Sequence, residues 1–123
     1  VSVEAHNIFK REEENLYYEL PISIADAALG TTVEVPSIDG GKTKIKIPAG
    51  TQSGKQLRLR GKGMPILRRS STGDLYIRII TEVPTSLTKK QKELLEEFKT
   101  LEDTKSNPLI KTFFDKAKKF WKN

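Results

Sequence analysis

Between Leu29 and Pro65 the chain alternates apolar and polar residues in three short runs, each closed by glycine or proline. Alternation with a period of two sends successive side chains to opposite faces, so such runs form strands with one face toward a core. Val33 and Val35 alternate with Thr32 and Glu34, Ile45 and Ile47 with Lys44 and Lys46, and Leu57 and Leu59 with Arg58 and Arg60. Asp39-Gly40-Gly41 separates the first two runs with residues that tolerate positive φ, a hairpin signal. Pro48-Ala49-Gly50-Thr51-Gln52-Ser53-Gly54 joins the second to the third, and Gly61-Lys62-Gly63-Met64-Pro65 ends the third. Gly and Pro act as punctuation because neither suits a central ladder position.

The flanks extend the pattern. Leu16, Tyr18 and Leu20 share one side of an upstream strand, which Pro21 either closes or holds at a sheet edge. Ser23, with Asp26 three residues on, is an N-cap for a short helix from Ile24 to Leu29. That helix carries Ile24, Ala27 and Ala28 on one face, and Gly30 stops it. Leu75 to Val83 is the longest strand, with Leu75, Ile77, Ile79 and Val83 on the core side and Tyr76 and Ile80 opposite. The expected core is therefore Val33, Val35, Ile45, Ile47, Leu57, Leu59, Ile77 and Ile79. Ile66 to Thr72 reads as a mobile basic connection. Val1 to Ala5 reads as mid-strand without an initiator Met, as expected of an excised piece.

Past Pro84 the period changes. Thr88 and Gln91 form a capping box. Leu94, Leu95, Phe98 and Leu101 follow at i, i+1, i+4 and i+7, one apolar stripe on a charged helix. A helix this short needs packing to persist. Its twofold copy is one partner, since isologous contacts are the commonest oligomer geometry, and its own sheet is another. After a polar linker from Glu102 to Asn107, Pro108 opens a last helix. Leu109, Ile110, Phe113, Phe114, Ala117, Phe120 and Trp121 line one side, and Lys111, Lys116, Lys118, Lys119 and Lys122 much of the rest. Such a helix docks on a β-domain or lies on a membrane surface.

The 123 residues suit one domain plus an appendage, and 36% hydrophobic content suits a thin two-layer core. The expected class is mainly β: a small two-layer β-sandwich with one short helix, followed by C-terminal α-helices. Cysteine is absent, which excludes disulfides and cysteine-ligated metals and agrees with a reducing compartment. No apolar run approaches the ~20 residues of a membrane span. The net charge is +6, and every charged residue from Lys42 to Arg69 is Lys or Arg. That stretch is either a set of solvated strand faces or a patch for an anionic partner such as nucleic acid. It contains no aromatic residue, and single-strand binders use stacking platforms.

Catalytic chemistry has little to stand on. His6 is the sole histidine and has no positioned partner. No nucleophile elbow, paired-carboxylate signature or metal-ligand cluster is present. Gly61-Lys62-Gly63 lacks the Ser/Thr and the glycine spacing of a phosphate loop, and Asp74 after Gly73 reads as a turn former. The chain is not expected to be an enzyme.

The wording of several segments adds a family resemblance. Ala28-Leu29-Gly30, Val35-Pro36, Asp39-Gly40, the run Ile47 to Gly54, and Arg58-Leu59-Arg60-Gly61-Lys62-Gly63 resemble the second C-terminal β-domain of DnaJ-type co-chaperones, the J-domain heat-shock family. His6, Phe9, Arg11, Asn15, Leu16 and Tyr17 resemble its opening segment, and Gly73-Asp74-Leu75-Tyr76 with Pro84 its exit strand. Leu87-Thr88, Gln91-Lys92 and Leu94-Leu95 resemble the helix that follows. Phe113-Phe114-Asp115 with Lys118-Lys119-Phe120 resembles the end of bacterial members. The match spans nearly the whole chain.

The resemblance implies that residues 1–11 finish a strand of a preceding domain and form a hinge, that 12–85 are the β-domain, and that 86–123 are a helical dimerisation segment and tail. The family binds unfolded polypeptides and passes them to a DnaK-type chaperone, and its C-terminal helix pairs two subunits. The dimer contact then falls on Leu94, Leu95, Phe98 and Leu101. Phe113, Phe114, Phe120 and Trp121 dock the tail on its own or its partner's β-domain. Candidates for client contact are Tyr17, Met64, Ile66, Tyr76 and Ile80. The His-Pro-Asp signature of the J-domain is absent, as is cysteine, so no cofactor is expected here and zinc belongs to the parent's cysteine-rich domain. The expected partners are a second copy, unfolded clients and, through other regions of the parent, a DnaK-type chaperone. The setting is cytoplasmic and no membrane is involved. The rival function is a basic nucleic-acid-binding β-domain.

Overall fold

The computed structural model describes residues 8–64 and 72–122. It divides into two units, Val1–Pro84 and Thr85–Asn123. The first holds two sheets. Strands β1 (Lys10–Glu12), β2 (Asn15–Ser23), β5 (Gln56–Leu59) and β6 (Leu75–Glu82) form one sheet in the order β1-β2-β6-β5. Strands β3 (Thr31–Pro36) and β4 (Lys42–Ile47) form a separate hairpin. The sheets pack in a sandwich-like arrangement, as the alternating pattern predicts.

Most of the local expectations appear as written. Helix α1 spans Ile24–Leu29, the Asp26 N–H donates to Ser23 Oγ at 3.1 Å, and Gly30 at φ 85° ends it. Its last carbonyls are not left unpaired, because Gly50 and Thr51 N–H donate to Ala27 O. In the hairpin loop Asp39 Oδ1 accepts from Ser37 Oγ at 2.7 Å and Gly41 N–H at 2.8 Å, and both contacts hold its carboxyl below the usual carboxylate range.

The core holds Leu16, Tyr18 and Ile22 from β2, Val35 from β3, Ile45 and Ile47 from β4, and Leu75, Ile77 and Ile79 from β6. Tyr18 ties the sheets together. Its ring meets Phe9 edge-on with centroids 5.1 Å apart, its hydroxyl donates to Pro36 O at 3.4 Å, and burial pushes the phenol up to about 12.

Three expectations need correction. Val33, Leu57 and Leu59 are half-buried, not fully buried: they pack against the buried cluster from its margin, Leu57 and Leu59 on the edge strand β5. Ala28 is exposed, so α1 presents Ala27 to the core, with Ile24 half-buried. Of the two places expected for Pro21, the structure has the sheet edge, and β2 continues through it to Ser23. Pro21 is tolerated because β1 pairs only with Asn15 to Tyr17, so β2 has an open side at Pro21 where the missing N–H costs no ladder bond. Val83 lies beyond β6 and is 67% exposed. The pairing ends at Ser23↔Glu82, where β2 turns into α1, so Val83 faces no strand.

The second unit is helical. Helix α2 runs from Lys89 to Leu101 with both halves of the capping box made: Gln91 N–H donates to Thr88 Oγ1 and Thr88 N–H to Gln91 Oε1. Helix α3 runs from Pro108 to Lys122. Residues 1–7, with His6, and residues 65–71, with Ile66 and most of the expected basic connection, lie outside the described residues.

Candidate functional site

The outer face of the four-stranded sheet gathers aromatic and charged side chains into rows. The pairing of β2 with β6 is parallel and sets Tyr17 against Tyr76. Strand β1 adds Lys10 beside Tyr17, and β5 adds Arg58 beside Tyr76. The row therefore reads Lys10, Tyr17, Tyr76, Arg58 across four strands. The tyrosine rings stack with centroids 5.0 Å apart and planes 12° from parallel, and the Arg58 guanidinium sits 5.9 Å from the Tyr76 centroid. Partial covering by neighbours pushes the Tyr17 phenol above its ordinary value, and nearby Glu12 and Tyr76 add to the shift. The next row is Glu19, Arg78 and Gln56. All residues of these two rows but Arg58 line an open depression of about 490 Å³ that Ile8 borders.

Sequence reasoning named Tyr17 and Tyr76 separately, and the structure brings them into contact. Ile80 lies on the same face, half-buried, one row beyond Arg78. Met64 lies elsewhere and packs half-buried against the core. Lys10, Glu19, Gln56, Arg58 and Arg78 were not singled out. Their outward alternation was visible, but which strands neighbour each other was not. The basic run lacks aromatic residues in sequence yet has Tyr76 beside Arg58 in space. A stacked base would still find little room. One face of each tyrosine is covered by the other ring, and Arg58 lies over the second face of Tyr76.

Beside this face a knot of hydrogen bonds ties residues 58–64 and 72–74 to each other and to Glu14 and Asn15. Asp74 accepts from Arg58 at 2.7 Å and from Gly61 N–H at 3.1 Å, and its own N–H donates to Asn15 Oδ1 at 2.9 Å. The Gly61 amide, and next the Arg58 guanidinium, hold the Asp74 carboxyl below its ordinary value. Gly63 N–H donates to Gly73 O, Gly73 N–H to Met64 O, and Met64 N–H to Glu14 O. A Cβ on Gly73 would collide with Glu14 O, and one on Gly63 would stand 2.6 Å from the same atom. Gly63 and Gly73 thus let the chain cross Glu14, Gly61 turns at φ 74°, and Asp74 is a turn anchor, as its position after Gly73 suggested.

The helices offer another kind of surface. Leu94, Leu95, Phe98 and Leu101 of α2 are all exposed, Leu101 at 73%. So are Phe113, Phe114, Phe120 and Trp121 of α3, where Phe113 and Phe114 meet edge-on at 5.1 Å. Among the described residues no group of His, Cys, Asp or Glu is placed to hold a metal ion, and no helix is long and apolar enough to cross a membrane.

The comparisons with known proteins agree with these features. The DnaJ C terminal domain family matches residues 1–84, and the family described as Chaperone protein DnaJ C-terminal region matches residues 90–123. The chain is 67% identical over its whole length to a Chaperone protein DnaJ of Pelagibacter ubique, of which it covers 33%. It is 55% identical over 98% of its length to that of Azorhizobium caulinodans, covering 32%, and 49% identical over 98% to that of a Ruegeria species, covering 31%. The chain thus spans about a third of the length of these relatives. With both of its units matched in order, the chain belongs to the DnaJ C-terminal domain family.

Proposed function

We propose that this chain supplies the second β-domain of the substrate-binding region and the homodimer contact of a DnaJ co-chaperone, which binds unfolded proteins and passes them to a DnaK-type chaperone in the bacterial cytoplasm. Residues 12–85 form the β-domain and residues 86–123 the dimerisation segment and tail, with residues 1–11 leading in as the hinge. The observation that carries this is the exposed stripe Leu94, Leu95, Phe98 and Leu101 on a helix with a complete capping box. A capped, ordered helix with an uncovered apolar seam is stable only once that seam is packed. A twofold copy covers it with matching geometry.

Clients contact the outer sheet face around Tyr17 and Tyr76, and do so weakly. The depression there is open to solvent, and its two rings are already stacked on each other. Affinity near millimolar, roughly −4 kcal/mol, fits such a surface. The greater contribution is the spacing of two arms, because joining two weak sites raises avidity.

The mass in solution tests the dimer. At tens of micromolar the chain runs as a dimer, and Leu95→Asp with Phe98→Asp halves the mass without unfolding the β-unit. A wild-type monomer refutes the contact. Titrating an unfolded client into the chain and into the full parent protein tests the spacer role, which equally tight binding by both would overturn.

A further inference from the structure

Helix α3 differs from every other element in how its charge is arranged. At 3.6 residues per turn, Leu109, Ile110, Phe113, Phe114, Ala117, Phe120 and Trp121 fill one arc of roughly 140° without a polar interruption. Lys116 borders that arc on one side and Lys118 on the other. The single acidic residue, Asp115, lies near the middle of the polar face, where Lys111 pairs with it at 2.7 Å. Lys116, Lys118, Lys119 and Lys122 have no salt bridge among the described residues. Phe120 and Trp121 are 76% and 70% exposed at the end of the helix that carries Lys119 and Lys122.

A protein groove and a lipid surface ask for different helices. A protein partner needs a stripe with charges matched to its own rim, as α2 has, where Lys and Glu are interspersed. An anionic bilayer needs an uninterrupted apolar arc, basic residues at its two borders whose stems reach up to the phosphates, and aromatic rings at the headgroup level. Helix α3 meets each of these requirements. The first unit is itself basic from Lys42 through Lys62, which disfavours a lysine-rich helix as its ligand.

We infer that α3 is a membrane-surface helix that lies in the headgroup layer of bilayers containing anionic phospholipid, with Phe113, Phe114, Phe120 and Trp121 as the inserted side and Lys116 and Lys118 as the rim. This departs from the sequence expectation that the tail docks on a β-domain and that no membrane is involved. It is independent of the dimer contact, which uses α2.

Trp121 is the only tryptophan, so its fluorescence reports on α3 alone. The full 123-residue chain is titrated with vesicles of phosphatidylcholine, with or without a quarter of phosphatidylglycerol. The expected result is a blue shift of Trp121 emission and co-sedimentation with the anionic vesicles only, reversed by high salt. Lys116→Glu and Lys118→Glu each weaken binding by about fivefold or more, which corresponds to the ~1 kcal/mol a basic residue gains at an anionic surface. Phe113→Ser abolishes the shift. Near-UV tyrosine signals of the first unit stay unchanged in each variant. Three results overturn the proposal: no shift with either vesicle, an equal shift with both, or Trp121 emission already blue-shifted without lipid and silent to its addition. The last would return the helix to a protein contact.

Discussion

In the β-unit Val35, Ile47, Leu75, Ile77 and Ile79 are at most 1% exposed. In α2 and α3 no side chain is buried, and Phe98, Leu101, Phe120 and Trp121 are each more than half exposed. Both regions are patterned with one apolar face. The strands turn that face toward a second sheet in the same unit, whereas each helix presents it outward. The same residue type therefore carries different meanings in the two regions. An isoleucine in β4 holds the domain together, and a leucine in α2 addresses whatever the helix meets.

The sharpest way to break this contrast is to remove similar side chains from both regions. Ile47→Ala should cost about 2–5 kcal/mol of β-unit stability, the range for truncating a buried aliphatic side chain. Leu95→Ala should leave the same transition within about 0.5 kcal/mol, as a surface change does. All three tyrosines lie in the β-unit, so their near-UV signal in urea separates it from the helices. A comparable loss in both variants would mean that α2 is part of the β-unit's core.

Much of this contrast was legible in the sequence because its causes are local. The hairpin around Gly40, the Ser23 cap of α1 and the Thr88–Gln91 box each depend on residues within a few positions of each other, and each is present. The parallel pairing of β2 with β6 was not legible. Nothing near Tyr17 announces Tyr76, so the row from Lys10 to Arg58 could not be assembled from alternation alone. The same gap misplaced Val83. The period of two carried it to the core side, but the partner strand had already ended at Ser23. Asn15 stood out only through the family resemblance, and Asp74 otherwise only as a turn former after Gly73. Their contact spans 59 positions.

Gly73→Ala sharpens the contrast inside the β-unit. The new Cβ would collide with the Glu14 backbone, and the ladder on either side restricts relief. A loss of about 1–3 kcal/mol is expected, the cost of forcing atoms into a packed site. Urea unfolding of the variant measures it, and an unchanged midpoint would show that the crossing of Glu14 and Gly73 is not tight in solution. A smaller effect is expected at the other region: Thr88→Ala removes the cap of α2 and should cost about 1 kcal/mol of helix stability. Circular dichroism would show helix loss, while the tyrosine transition stays in place.

The smallest effect concerns protons. Asp74 has a lowered folded-state pKa, so it contributes stability above its unfolded value near pH 4, and loses it as pH falls through the folded value. The urea midpoint of the wild type should fall more between pH 5 and pH 2 than that of Asp74→Asn. Some slope should remain in the variant, because Asp39 is lowered too. Identical slopes would remove Asp74 from the account.

The parallel pairing of β2 and β6 also fixes an order of events during synthesis. Strand β2 is complete at Ser23 and has β1 beside its start, yet its parallel partner β6 is not complete until Glu82 has been made. The chain between them forms α1, β3, β4 and β5, of which the β3–β4 hairpin can close early because its strands are adjacent. Sheets built on such distant pairings fold slowly, in the millisecond-to-second class, and stay open to wrong partners meanwhile. Until Leu75, Ile77 and Ile79 arrive, Leu16, Tyr18 and Ile22 lie uncovered on a nascent chain. For that interval this segment has the same exposed character as the unfolded polypeptides it is proposed to serve.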